Sequence, residues 1–581
     1  MSSTVSEYNH LSDVLRKWPD IEIDIQFEIP HIALLYDCLL DLKKEEPTTK
    51  KGDLAVLIRQ VLRSGKSKGQ LDSTLLLPKI TGHPHWPKDH EWEKFGIQAA
   101  PISDREIQLT ATPWHPEWLE DGRFAVDAQV HTVPHYERIK QENSVTSDPF
   151  LNEIFEGENS PSTYFSQAQK DAIRNVLAAK PGSTSIVNLP TGAGKSLVAL
   201  APLYLQKSIR PVVSICIVPT IALSIDQEAR LREITGDPER NFAYSSDTPE
   251  NVRDEIRQNI RNGQQEIVFV SPEMATSGLV HSLFIAAKHN YLGYFIFDEA
   301  HLLNSWGTGF RPEFQTMVGL RNELLEVQKE ENIPQLRTIL MSATFTNSSF
   351  NTLVSLFGEP GPVIPSISNR LRPEPTYWSS ESLTCEIRDD RVIEALRHLP
   401  RPAIVFCTKP AKAETLKRKI EESDFSRVGI FTGLTSAIQR ERVINQLKNM
   451  EMDIVVATSA FGLGVDISNI RTVIHACVPD TIDRYYQEVG RGGRDGKPAI
   501  SIVCWTSDNE ENELRIAENN ASPKQLDSDK LFKRWNNLLE NASAIDENWS
   551  ENRLIFSVPI SAVPDYLENY TESNEYWNKN A

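Results

Sequence analysis

From about Thr184 onward, short runs of apolar, mostly β-branched residues alternate with longer stretches whose apolar positions recur every three or four residues. This pattern predicts parallel strands joined by crossover helices, because a strand covered on both faces reads as one continuous apolar run. A first block predicts strands at 185–189, 212–218, 267–270, 294–298 and 338–342. A second predicts strands at 403–407, 428–431, 453–458, 472–478 and 500–505, with helices at 411–422 and 436–449. Between the blocks, residues 358–375 carry Pro360, Pro362, Pro365, Pro373 and Pro375, which suits an extended linker better than a helix or a central strand. The expected fold is α/β, with two tandem doubly wound parallel-sheet lobes joined by a hinge.

The flanks differ. Residues 1–150 show helical patterns near 11–18 and 32–44, then a segment holding Trp86, Trp92, Trp114 and Trp118 among many His and Pro. His83, His85 and His90 have no nearby Cys and read as loop and packing residues. Residues 509–581 hold 14 acidic and 7 basic residues, a poor surface for nucleic acid. The expected organisation is an N-terminal accessory region (1–150), a first lobe (151–365), a second lobe (366–508) and an acidic extension (509–581).

With 581 residues, 40% hydrophobic and 24% charged, the chain has the composition of a multidomain globular protein. No apolar run reaches membrane-spanning length, and residues 1–26 contain no apolar stretch suited to a signal sequence, so neither secretion nor a membrane is expected. Its six cysteines are scattered without C-x-x-C spacing, which points to a cytoplasmic setting and no structural zinc. The net charge of −19 argues against loose coating of nucleic acid but leaves room for a local basic channel.

Three strings carry chemistry. Pro190, Thr191, Gly192, Ala193, Gly194, Lys195 and Ser196 lie between a predicted strand and a predicted helix. Glycines there let backbone N–H groups turn toward phosphates, Lys195 neutralises phosphate oxygens and the Ser196 hydroxyl can ligand magnesium. The strict G-x-x-x-x-G-K-S pattern fails at its first position, which is Leu189. Asp298, Glu299, Ala300 and His301 end another predicted strand, placing two carboxylates at the carboxyl edge of the sheet. Asp298 can hold magnesium and Glu299 can orient an attacking water. In the second block, Arg491 and Arg494 sit among Gly490, Gly492, Gly493 and Gly496, a basic loop able to reach across a cleft to a transferring phosphoryl group.

The order of these strings resembles helicase superfamily 2, and specifically the RecQ-like DNA helicases, over residues 164–507. The resemblance implies two RecA-like lobes that bind ATP with Mg2+ between them and move on single-stranded DNA, 3′ to 5′. Gln169 would read the adenine, although the Arg usual after Phe165 is Ser166 here. Thr220 and Thr458 would meet the DNA backbone, Gly464 and Asp466 would line the nucleotide cleft, and Arg494 would be the arginine finger. Residues 301–314 resemble the aromatic-rich loop of that family, in which Trp306 and Phe310 would stack on unpaired bases beside Arg311. That loop argues against an RNA helicase, and the absence of Cys from 509–581 departs from the family's usual four-cysteine module. The alternative expectation is an ATP-gated DNA-binding subunit of a larger DNA-processing or defence assembly, with protein partners engaged through 1–150 or 509–581.

Overall fold

The computed structural model describes residues 2–21, 25–66, 74–80, 82–119, 126, 145–146, 163–208, 212–304, 312–368, 371–462, 467–507, 512–521, 528–541, 543–544 and 556–557. Two all-parallel sheets dominate. The first has seven strands in the order β12-β6-β11-β10-β7-β9-β8. They are β6 (Thr184–Asn188), β7 (Val213–Ile217), β8 (Ala243–Tyr244), β9 (Ile267–Val270), β10 (Leu292–Phe297), β11 (Arg337–Ser342) and β12 (Val363–Ile367). The second has six, in the order β13-β18-β17-β14-β16-β15. These are β13 (Pro375–Ser382), β14 (Ala403–Phe406), β15 (Val428–Phe431), β16 (Ile454–Ala457), β17 (Thr472–His475) and β18 (Ala499–Thr506). Every residue of β7, β9, β10, β14, β16 and β17 is buried, which is why they appeared as unbroken apolar runs.

The proline-rich stretch departs from the expected linker. It supplies β12 at one edge of the first sheet and opens β13 at one edge of the second. Pro365 pairs with Ile186 inside β12, a position an edge strand tolerates because its outer side needs no ladder donor. The connection between lobes is therefore confined to residues 368–374.

Residues 2–119 form a helical and three-stranded unit that is fused to the second lobe. Its helices Pro30–Asp41 and Lys51–Lys66 and its antiparallel sheet β1-β3-β2 (Thr74–Pro78, Glu106–Ala111, Ile97–Pro101) bury one face. Leu54, Ile58 and Leu62 join Val392, Leu396, Ile420 and Phe425 in a single apolar cluster. Polar groups close the seam. Asp53 Oδ2 accepts from Ser426 N (2.9 Å) and Ser426 Oγ (2.7 Å), while Gln60 and Arg401 exchange two hydrogen bonds, of 3.0 and 3.3 Å. Gly52 is required by close approach, since a β-carbon there would stand 2.4 Å from the Asp424 carbonyl oxygen. Arg401 and Ser426 precede β14 and β15, so this seam covers the amino ends of the strands and leaves their carboxyl ends uncovered.

All three expected boundaries fall inside structural units, the one after residue 365 cutting β12 (Val363–Ile367). Val145–Thr146 pairs with Thr163–Tyr164 beside the first lobe, and Glu513, inside the acidic extension, accepts from Thr506 N and pairs with buried Arg388 of the second lobe. No helix among the described residues is long and apolar enough to cross a membrane.

The seam makes a specific demand on Glu394. Trp114 Nε1 and Trp118 Nε1 donate to its two carboxylate oxygens at 3.1 and 2.6 Å, and Trp114 stacks on His398. Glu394→Ala strands both indole donors and is expected to destabilise the second-lobe unit by about 1–3 kcal/mol, read by chemical denaturation. Glu394→Gln, which keeps one acceptor, should cost less.

Candidate functional site

The nucleotide cradle follows from strand register. Phe297 of β10 lies beside Leu340 of β11, which lies beside Ile186 of β6, so the turns after β6 and β10 emerge at one carboxyl edge. The turn after β6 holds Thr191, Gly192, Ala193 and Gly194 and feeds the Lys195–Ser208 helix, whose N-terminus faces that edge. Gly194 has φ +77°, and a β-carbon on it would lie 2.2 Å from Gln169 Nε2, so both the conformation and the contact require glycine.

Gln169 is fully buried; Phe165 N donates to its Oε1 (2.7 Å) and its Nε2 donates to the Gly194 carbonyl (3.1 Å). Ser166, where the family pattern has Arg, caps the Gln167–Ala178 helix by accepting from Gln169 N. The residue thought to read the base thus also braces the phosphate turn.

Lys195 Nζ donates to the Leu189 carbonyl at 3.2 Å. Burial lowers the Lys195 pKa, Glu299 and Asp298 oppose that, and Arg494 and Arg372 push it further down. Asp298 accepts from Glu299 N at 3.0 Å, and its pKa is raised by burial and by the Glu299 charge. Glu299 moves the other way. Although burial opposes it, the His301 hydrogen bond and the charges of Lys195, His301 and Arg494 hold its carboxyl low. Glu299 also has φ +51°, a left-handed conformation uncommon for a residue with a side chain and typical of strained functional turns.

The second lobe reaches this pocket. Arg494 is the guanidinium whose charge acts on both Lys195 and Glu299. Arg491 is buried with its guanidinium 5.8 Å from the Phe461 ring centroid. Gln487 Nε2 lies 3.0 Å from His301 Nε2 and donates to Thr344 Oγ1 at 3.4 Å. The other ring nitrogen of His301, Nδ1, faces the first lobe's site. That nitrogen is 3.0 Å from Ser342 Oγ and 3.3 Å from Glu299 Oε2. A continuous polar path therefore runs from the second lobe to the Glu299 carboxylate.

Other expected residues are placed as follows. Ser196 Oγ accepts from Gln227 Nε2 and Arg230 Nη1, each at 3.5 Å. Thr220 caps the Ile221–Thr235 helix by accepting from Leu223 N, which leaves its hydroxyl proton to be donated elsewhere. Thr458 is buried at the carboxyl end of β16. Trp306, Phe310, Arg311, Gly464 and Asp466 lie outside the described residues. Sequence reasoning passed over Arg372, Glu374 and Arg230. The first two sit in text read as a linker, and the signal available was the Arg-x-Arg-Pro-Glu string of residues 370–374.

Residues 166–353 match the DEAD/DEAH box helicase family and residues 388–496 the helicase conserved C-terminal domain. The chain is 30% identical over 341 residues to the probable ATP-dependent DNA helicase RecS of Bacillus subtilis, covering 59% of this chain and 64% of that protein. It is 28% identical over 346 residues to the ATP-dependent DNA helicase RecQ of Haemophilus influenzae, covering 59% and 51%. The chain thus carries both domains of a DEAD/DEAH-type helicase core and is similar to RecQ-like DNA helicases of superfamily 2. A third RecQ-like relative, the ATP-dependent helicase wrn-1 of Caenorhabditis elegans, is 29% identical over 399 residues, covering 67% of this chain and 35% of that one. The matched region thus spans between about a third and two thirds of these RecQ-like relatives. The solved structure of the helicase MrfA bound to DNA and AMPPNP shares the fold, with a TM-score of 0.53 and 19% identity over 64% of this chain and 53% of that one.

The carboxylate pair sets a pH dependence of stability. Because the Asp298 pKa is raised, the folded chain holds that proton more tightly than the unfolded chain, so this group erodes stability as pH rises above the ordinary aspartate range. Asp298→Asn removes the penalty and is expected to raise the Tm of the nucleotide-free protein at pH 8 by roughly 2–4 °C. The gain should shrink toward pH 5; an equal gain at both values would contradict the burial of a charged Asp298.

Proposed function

We propose that this chain is a DNA-stimulated ATPase that couples ATP hydrolysis to movement along single-stranded DNA, 3′ to 5′ by the RecQ-like resemblance. The observation that supports this best is the approach of the second lobe to the first lobe's site, where Gly490 lies against Thr191 and Gln487 Nε2 lies 3.0 Å from His301 Nε2, with the charge of Arg494 acting on Lys195 and Glu299. In this reading Gln169 holds the adenine, and the backbone from Thr191 to Gly194 and Lys195 hold the phosphates. Glu299 orients the attacking water and takes up its proton, and Arg494 offsets charge on the transferring phosphoryl. Ser196 and Asp298 would hold Mg2+, which when bound neutralises phosphate oxygens. The donor set suits it, being one hydroxyl and one half-buried carboxylate whose charge the protein alone leaves penalised.

Strand contacts are assigned to Thr220, Thr458, Arg311 and the loop bearing Trp306 and Phe310. Phosphate contact and base stacking carry little sequence information, so the reading implies low sequence specificity. The path from Gln487 through His301 to Glu299 would let closure of the lobes act on the water-activating carboxylate.

Lys195→Ala and Glu299→Gln are each expected to lower kcat at least about 10³-fold, with Glu299→Gln retaining ATP binding. Malachite-green turnover and fluorescent-nucleotide titration read the two effects. An active Glu299→Gln variant would remove that residue as the base. Trp306→Ala should keep basal turnover and lose stimulation by single-stranded DNA; stimulation by RNA equal to that by DNA would overturn the assigned substrate. Forked-duplex unwinding by the same chain separates a motor from an ATP-gated DNA-binding subunit.

A further inference from the structure

Arg372 lies in the short passage between the two sheets and is buried, with 6% of its surface exposed. Its guanidinium is fully oriented by the second lobe. Nη1 donates to the Gly490 carbonyl (2.8 Å), Nη2 to the Gly493 carbonyl (2.6 Å), and Nε to the buried Glu374 carboxylate (3.2 Å). Its backbone N–H donates to Tyr486 Oη at 3.2 Å. These contacts fasten one stretch of chain, residues 486–493, immediately before Arg494.

The same turn faces the phosphate cradle. Gly490 lies so close to Thr191 that a β-carbon on it would stand 3.0 Å from Thr191 Cβ and Oγ1. A β-carbon on Gly192 would stand 3.9 Å from Arg372 Cζ, and Arg372 is among the cations acting on Lys195. One acceptor joins the two guanidiniums, because the Gly490 carbonyl receives Arg494 Nε (3.3 Å) as well as Arg372 Nη1. Gly493 has φ +64°, so the turn takes a conformation that leaves few alternatives once its carbonyl is held.

We propose that Arg372 is a positioning residue for phosphoryl transfer, which spans the Gly490 and Gly493 carbonyls so that Arg494 is aimed at the nucleotide phosphates. The proposal rests on the ATPase reading above and extends it to a residue of the interlobe passage. A planar fork is what the geometry uses, since two carbonyls three residues apart are held by two parallel N–H groups while the third donor side is pinned by Glu374. Lysine would keep the charge and lose the fork.

The test is a double-mutant cycle on the full chain, with steady-state and single-turnover ATP hydrolysis and a Tm for each variant. Arg372→Lys is expected to lower kcat by roughly 10²-fold, the scale of a small misplacement of a reacting group, with KM for ATP close to wild type and Tm lowered by the carbonyls left unpaired. In an Arg494→Ala background the same substitution should change kcat by no more than about twofold, because the two residues act as one unit. Glu374→Gln, which loosens the fork without removing it, should lower kcat by a smaller factor and serves if Arg372→Lys does not fold. Unchanged kcat in the variant that folds, or an undiminished effect in the Arg494→Ala background, would overturn the proposal while leaving the ATPase reading intact. A wild-type chain that hydrolyses no ATP would overturn both.

Discussion

The constraint on which this structure turns is the partial burial of opposed charges in one crevice. The first lobe gathers a half-buried ammonium and two half-buried carboxylates at the carboxyl edge of its sheet, and desolvation alone pushes Lys195 down and Asp298 up, each toward its neutral form. Neutralisation is incomplete because Lys195 and the carboxylates sustain one another's charge and Arg494 helps to hold Glu299 ionised, whereas Arg494 and Arg372 press Lys195 further toward its neutral form. In the proposed reading, a triphosphate with a divalent cation would supply what such a crevice lacks, negative charge beside the lysine and guanidiniums and positive charge beside Asp298. Affinity and lobe closure then have one electrostatic origin, since bringing the second lobe nearer both completes the cation set and removes water that would screen it.

In the proposed reading, closure has a polar route to Glu299, the carboxylate assigned to orient water. Gln487 holds His301 by one ring nitrogen, and the other ring nitrogen faces Ser342 and Glu299. Ser342 Oγ in turn donates to the Thr344 carbonyl and accepts from Thr344 N, so the strand end of β11 belongs to the same network. Removing Gln487 from reach would free the imidazole to rotate or change tautomer, and Glu299 would lose a defined partner. The left-handed backbone of Glu299 fits this role, since its side chain is held in one direction by a turn of restricted conformations.

Much of this was legible in the sequence because parallel strands buried on both faces leave an unmistakable run of apolar residues, and because phosphate cradles need Gly192, Gly194, Lys195 and Ser196 in a fixed order. The strands beginning the lobes' nucleotide turns fall within one or two residues of their expected limits. The proline-rich passage misled for a physical reason: Pro365 and Pro375 are excluded from central strands yet tolerated at edges, and composition does not reveal which side of a strand will face a neighbour. Arg372 was invisible for a related reason. Its role depends on two backbone carbonyls more than a hundred positions away, and carbonyls carry no sequence signature. The first 119 residues hid their allegiance likewise, for an apolar helix face such as Leu54, Ile58 and Leu62 shows that it will be covered without showing by what.

That allegiance decides what can move. Separating residues 2–119 from the second lobe would uncover Asp53, Gln60 and Arg401 together with the apolar face around Val392 and Phe425, so the seam is more costly to open than the interlobe cleft, which is lined by polar and charged groups. Any rotation between the lobes would therefore carry the N-terminal unit and the second lobe together as one body against the first. The chain crosses between these bodies twice, once between residues 126 and 145 and once through residues 368–374, because Val126 belongs to the fused cluster whereas Val145 packs on the first lobe. A body tethered by two crossings has fewer rotations open to it than one swinging on a single hinge. The second crossing carries Arg372 at its centre, so the passage that permits rotation is also bonded to the turn that presents Arg494. Hinge and catalytic turn are thus mechanically one element, and any rotation that relieved the hinge without carrying residues 490–493 along would have to break the buried fork first.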